Sequence, residues 1–201
     1  QDADSLIMKT EELAEVIAFV RKTFPAVRRI TSYARAKSAS HKAVAELKRL
    51  QEAGLSRIHM GMESGYDPLL AFIRKGTTAA ELIEGGQKIK AAGISLCEYV
   101  IPGLGGSRWT REHAVETARA LNQIDPDHIR LRTLQVVPGT TLADKEREGT
   151  FTPLDDEAIL AEIRLFLSTL EGISSTVVSD HILNLLEELE GKLPEERERL
   201  L

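Results

Sequence analysis

Arg57-Ile58-His59-Met60-Gly61-Met62-Glu63-Ser64-Gly65 alternates apolar and polar residues before ending in a turn. Extended backbone sends successive side chains to opposite faces. Ile58, Met60 and Met62 therefore share one face, suited to packing under helices, while His59, Gly61 and Glu63 share the other. Strands of an open parallel sheet covered by helices on both sides tend to be continuously apolar. The alternation favours a strand whose second face looks into a barrel interior, with Glu63 at the strand end. A doubly wound open sheet is the competing architecture, and hydropathy alone leaves it open.

Around this strand a short apolar segment followed by an amphipathic helix recurs with a period of roughly 30 to 45 residues. The pattern predicts helices over 10–24, 41–53, 78–92, 110–124 and 155–171, and strands over 27–33, 57–62, 94–101, 128–137 and 174–178. Glu11 and Glu12 favour the start of the first helix and Pro25 stops it, while Gly54 and Gly93 supply left-handed C-caps. Strands separated by helices are parallel neighbours joined by right-handed crossovers. The expected fold is α/β, a partial parallel (β/α) barrel of four to five strands over residues 1–178, with a helical extension over 179–201. Functional loops in such folds lie at the carboxyl ends of the strands.

The chain has 201 residues, 42% of them hydrophobic, and a net charge of −5, enough for one substantial core. Lysines and arginines are mixed with acids along the helices, as in Lys42, Glu46, Lys48 and Arg49, so no basic stripe indicates nucleic acid and a small molecule is the expected ligand. No run approaches the ~18 apolar residues of a membrane span, and residues 1–8 lack signal-peptide character, so a cytoplasmic location is expected. The single cysteine, Cys97, excludes an internal disulfide framework and a cysteine-rich metal motif within these residues. It reads as a small buried hydrophobe.

Several polar residues fall at expected strand ends. Glu63 can accept hydrogen bonds from ligand hydroxyls, or cap the Ser64-Gly65-Tyr66-Asp67 turn or the next helix. His59 reads as a satisfied core histidine. Glu98-Tyr99-Val100-Ile101-Pro102-Gly103-Leu104-Gly105-Gly106 ends in a loop that lets backbone approach a ligand or simply turns tightly, and either Glu98 or Tyr99 faces inward. Arg130 and Arg132 share a face and need anionic partners, such as Glu63, Glu98 or a ligand carboxylate. Arg35 adds a further cation. Ser179-Asp180-His181 lacks the nucleophile-elbow context of a hydrolase, and His41 and His113 read as surface groups near helix starts.

Four stretches together resemble the radical S-adenosylmethionine (SAM) superfamily, particularly the branch containing anaerobic coproporphyrinogen III oxidase and the tRNA methylthiotransferases. They are Gln1-Asp2-Ala3-Asp4, Met60-Gly61-Met62-Glu63-Ser64-Gly65, Ile101-Pro102-Gly103-Leu104-Gly105-Gly106 and Val137-Pro138-Gly139-Thr140-Thr141-Leu142. The resemblance implies a six-stranded partial barrel in which the strands at Arg28, Arg57, Ile94 and His128 are the third to sixth. It also implies that Asp2, Ala3 and Asp4 approach the methionyl amino group, Ser32 and Arg35 its carboxylate, and Glu63 with Ser64 the ribose. The loop of Gly103 and Gly105 would then lie along the adenine, with Arg132 on the substrate side. Members of this superfamily hold a [4Fe-4S] cluster through a CxxxCxxC loop, receive an electron from a donor such as flavodoxin or ferredoxin, and cleave SAM to a 5′-deoxyadenosyl radical that abstracts hydrogen from substrate. Cys97 alone cannot supply that ligand set. The opening helix also lacks a strand before it, so the expectation is a core fragment of such an enzyme, entered after its first two β/α units. The alternatives are a non-radical barrel enzyme using Glu63 and Arg132, or an inactive barrel scaffold for protein association.

Overall fold

The computed structural model describes residues 4–201. A single turn at Ser5–Ile7 leads into α1 (Thr10–Thr23), followed by β1 (Ile30–Ala34), α2 (Ala36–His41), α3 (Val44–Ala53) and β2 (Leu55–Glu63). Next come α4 (Asp67–Phe72), α5 (Ala79–Ala91), β3 (Ser95–Val100), α6 (Gly106–Ile124) and β4 (His128–Leu131). The chain ends with α7 (Thr141–Arg147), α8 (Asp156–Thr169), β5 (Thr176–Val178), β6 (Glu190–Lys192) and α9 (Arg197–Leu200).

The six strands form one sheet in the order β1-β2-β3-β4-β5-β6. Pairings from β1 through β5 are parallel, and only β5 with β6 is antiparallel. Strand order settles the architecture. A doubly wound sheet reverses direction from a switch point, whereas β1 to β5 advance one neighbour at a time. Right-handed crossovers then put successive helices on the same side. The result is an open, barrel-like α/β sheet with one helix-covered face and one inner face.

Burial follows the alternation. Ile58, Met60 and Met62 are wholly buried with Leu47, Leu82, Leu96, Leu121 and Ile129 in one core, while His59, Gly61 and Glu63 keep partial exposure on the inner face. Pairing register carries the same parity across the sheet: Tyr33 opposes His59, Gly61 opposes Tyr99, and Tyr99 opposes Arg130.

The structure departs from the sequence reading in four places. Two short helices, α2 and α4, fill what read as loops. The fourth strand ends at Leu131 rather than 137, because the chain leaves the sheet to form the rim. The tail, expected to be helical, is helical only in α9 and enters the sheet as β6 beside β5. His113, expected at the surface, is 1% exposed.

Candidate functional site

A cavity of about 660 Å³ opens where β1, β2 and β3 end, and Asp4, Arg35, Glu63, Lys75 and Arg132 bring its charged groups, over a floor that includes Tyr33 and Tyr99. It has the volume of an ordinary small-molecule site. Glu63 reaches it from an irregularity in β2, where pairing with β3 shifts between Gly61 and Glu63 and the Glu63 backbone adopts φ +63°. A left-handed conformation costs a non-glycine residue roughly 1 to 2 kcal/mol, and such strain gathers at functional positions. The Glu63 carboxylate is ion-paired with Lys75. It caps no helix: the turn is closed by Ser64, which accepts from Tyr66 N at 3.1 Å, and Asp67 instead accepts from Ala79 N at 2.7 Å at the start of α5.

Asp4 is the second acid. Its Oδ2 accepts a hydrogen bond from Ser38, while its buried Oδ1 has no hydrogen-bond partner among the described residues. An orphaned carboxylate oxygen in a cavity wall is a natural acceptor for a ligand ammonium group. Arg35, immediately after β1, supplies a cation to the same cavity. Arg132 lies over the Tyr99 ring, 5.1 Å from its centroid, and donates to Asp180 at 3.2 Å. Asp180 also pairs with Arg130 at 3.1 Å. The anion serving both arginines thus comes from the tail after β5, and neither Glu63 nor Glu98 fills that role.

The other expected residues fall elsewhere. Asp2 and Ala3 lie outside the described residues. Ser32 opposes Ile58, on the helix-covered face, and its hydroxyl donates to the Tyr33 carbonyl at 3.2 Å. Ser64 is fully buried, with its hydroxyl 2.9 Å from His113 Nδ1. Gly103 and Gly105 belong to a loop turned toward α6 and α8. Gly103 N donates to Glu162 Oε1 at 2.6 Å, and a Cβ on Gly105 would come within 2.8 Å of the Trp109 carbonyl oxygen. These glycines serve close packing of the chain on itself, and Ile101 is the residue of this segment that reaches the cavity.

Two groups that the sequence left at the surface or open to the inner face are buried. His113 joins the two site-forming segments: Nδ1 meets Ser64, Nε2 meets the Ile101 carbonyl at 3.0 Å, and Glu162 lies 3.8 Å away. Burial lowers its pKa to about 4, so it is neutral at pH 7. Its helical spacing with Thr117 and Leu121, both buried, is the signal that could have placed it inward. Glu98, unlike Tyr99, points away from the inner face; it is wholly buried, and neither carboxylate oxygen has a partner among the described residues. Burial raises its pKa well above the ordinary value.

An open, largely parallel sheet with a polar cavity at the strand carboxyl ends defines a barrel-type α/β protein. The sequence profile of the radical SAM superfamily matches residues 6–121. The chain belongs to the radical SAM superfamily. It is 29% identical over 158 residues to biotin synthase of Sulfurihydrogenibium sp., covering 79% of this chain and 43% of that protein. To the tRNA uridine(34) acetyltransferase of Methanocaldococcus jannaschii it is 24% identical over 113 residues, 56% of this chain and 21% of the relative. The fold matches coproporphyrinogen III oxidase from Escherichia coli, a radical SAM enzyme, with TM-score 0.61 at 15% identity, over 81% of this chain and 38% of that one. The chain thus spans between about a fifth and two fifths of the length of these relatives.

Superfamily members use SAM with a [4Fe-4S] cluster, and the two groups fit these residues differently. Cluster ligation needs three thiolates. Cys97 is the sole cysteine, is wholly buried, and has its thiol pushed up to about 11 by burial. These residues do not fit the cluster. The cavity, with an orphaned acceptor, a cation and a strand-end carboxylate, does fit SAM, a ligand with an ammonium, a carboxylate and a ribose diol. No helix among the described residues is long and apolar enough to cross a membrane.

Proposed function

We propose that this chain forms the SAM-binding side of a radical SAM active site, with the cluster cysteines contributed from outside these 201 residues. The observation that carries the reading is the convergence of Asp4, Arg35 and Glu63 on one cavity at the strand carboxyl ends. In this reading Asp4 Oδ1 accepts from the methionyl ammonium and Arg35 pairs with its carboxylate. Glu63 takes the ribose hydroxyls, and its backbone strain aims the carboxylate. When bound beside a reduced cluster, SAM supplies a carbon radical able to remove hydrogen from substrate. The protein's part is to bind, orient and exclude competing groups.

Glu63→Gly separates this role from a structural one. Glycine relieves the positive φ, and loss of a partly exposed ion pair costs about 0 to 1 kcal/mol, so unfolding should occur at unchanged or slightly higher denaturant. SAM affinity of the 201-residue chain, measured by calorimetry, should nonetheless fall about tenfold, or about 1.4 kcal/mol. Equal affinity in wild type and variant would leave Glu63 as a partner for Lys75 alone. For the complete protein, anaerobic reconstitution with iron and sulfide followed by dithionite and SAM should release 5′-deoxyadenosine. A cluster-loaded sample that leaves SAM intact would refute the activity.

A further inference from the structure

Below the SAM cavity, toward the amino ends of the strands, the inner face holds a second cavity of about 430 Å³. Arg29, Arg57, His59 and Arg130 line it, and Tyr33 and Tyr99 form its boundary with the upper cavity, contributing to both walls. The three rings of Tyr33, His59 and Tyr99 stand side by side on adjacent strands, with centroids 5.2 to 6.3 Å apart. Their polar atoms form a chain: Tyr33 Oη lies 3.4 Å from Tyr99 Oη, which lies 3.4 Å from His59 Nδ1.

The lower cavity's lining contains three guanidinium groups and, among the described residues, no carboxylate. Arg57 donates to Ser95 Oγ at 3.1 Å and to His128 Nε2 at 2.6 Å, both neutral acceptors, which leaves its charge uncompensated. Arg130 reaches Asp180, but that acid is shared with Arg132 at the rim. The surrounding cations are felt by His59, whose pKa is lowered to about 4 by burial and then by Arg57, Arg130 and Arg29. Like charges lining one cavity are stabilised when an anion sits among them, and the planar guanidinium fork matches the paired oxygens of phosphate and carboxylate. The chain as a whole carries a net charge of −5, so this is a local reversal of sign rather than an extension of a basic surface.

We propose that the lower cavity binds the oxyanion group of a small-molecule substrate, a phosphate or a carboxylate, through Arg29, Arg57 and Arg130, with the rest of that substrate rising past the tyrosines toward the SAM cavity. The assignment of the anion as a substrate group rests on reading the upper cavity as the SAM site. The binding itself does not.

Titration of the 201-residue chain with inorganic pyrophosphate and, separately, citrate, both without SAM, tests the site. One saturable event is expected, and the tighter of the two probes identifies phosphate or carboxylate as the preferred group. Arg57→Gln should weaken it at least tenfold. Arg29→Gln, at an exposed position before β1 whose replacement does not threaten the fold, should weaken it severalfold. Arg119→Gln removes the same charge from the outer surface of α6, where Arg119 pairs with Glu116, and should leave binding unchanged. Absence of saturable binding to both probes, or equal weakening by Arg119→Gln, would overturn the proposal. SAM affinity measured on Arg57→Gln should match wild type, so a failed anion site and a failed SAM site give different patterns.

Discussion

Gly65→Ala should lower stability by about 3 kcal/mol, near the top of the usual range for inserting a methyl group into a close-packed contact. A Cβ at this position would lie 2.5 Å from the Glu116 carbonyl oxygen and 2.8 Å from Thr117 Cα. Both obstacles are backbone atoms in the middle of α6, so no rotamer change relieves the clash. The turn is also tied to that helix by Gly65 N donating to Thr117 Oγ1 at 2.9 Å and by the Ser64 contact with His113. Either these bonds break or the helix moves, and Glu63, two residues upstream, moves with them. Urea unfolding should show an earlier midpoint with unchanged slope, and, with the cavity as the proposed SAM site, SAM affinity should fall in parallel. A loss below about 0.5 kcal/mol would mean that the turn and α6 are farther apart than the 2.5 Å clash requires.

Glu98→Met should act in the opposite direction, raising stability by about 2 kcal/mol at pH 8, because it replaces an unpartnered buried carboxyl with an unbranched apolar side chain. The sign of the pH dependence follows from the raised pKa. Between the ordinary glutamate pKa and the elevated folded value, the folded state binds more protons than the unfolded one, so the wild type loses stability as pH rises. His113 contributes the reverse slope. Its neutral form is favoured by folding, so its contribution is complete above about pH 6.5 and is lost as pH falls toward 4. The two slopes overlap in the wild type, but their sum cancels from the difference between variant and wild type apart from the Glu98 part. That difference, from unfolding curves at pH 5 and pH 8, should grow with pH. A constant difference would show that Glu98 does not titrate with folding.

The fold was legible where it depends on period and order. Alternation over residues 57–63 gave the correct faces, and consecutive β/α units gave the neighbour relations of β1 to β5 because short crossovers leave little choice. Strand β6 was not legible. Glu190-Gly191-Lys192 has no preference for extended structure, and its place is set by pairing with β5, a tertiary effect that overrides local propensity. Within the site, Arg35 and Glu63 could be placed because each sits at a strand end. Lys75 and Asp180 could not, since their meetings with Glu63 and with the two arginines depend on the paths of α4 and the tail. The glycines of 103–106 left two readings open for a physical reason: a loop that permits close backbone approach to a ligand looks the same in sequence as one that permits close approach to a neighbouring helix.

The antiparallel β6 bears on how such chains meet one another. It presents a three-residue border flanked by the exposed charges of Glu190 and Lys192, too short and too polar to template a neighbour. The opposite border of the sheet is β1. Strand addition at the β6 margin is therefore disfavoured, so that border of the sheet offers no route by which copies of the chain could propagate into fibres.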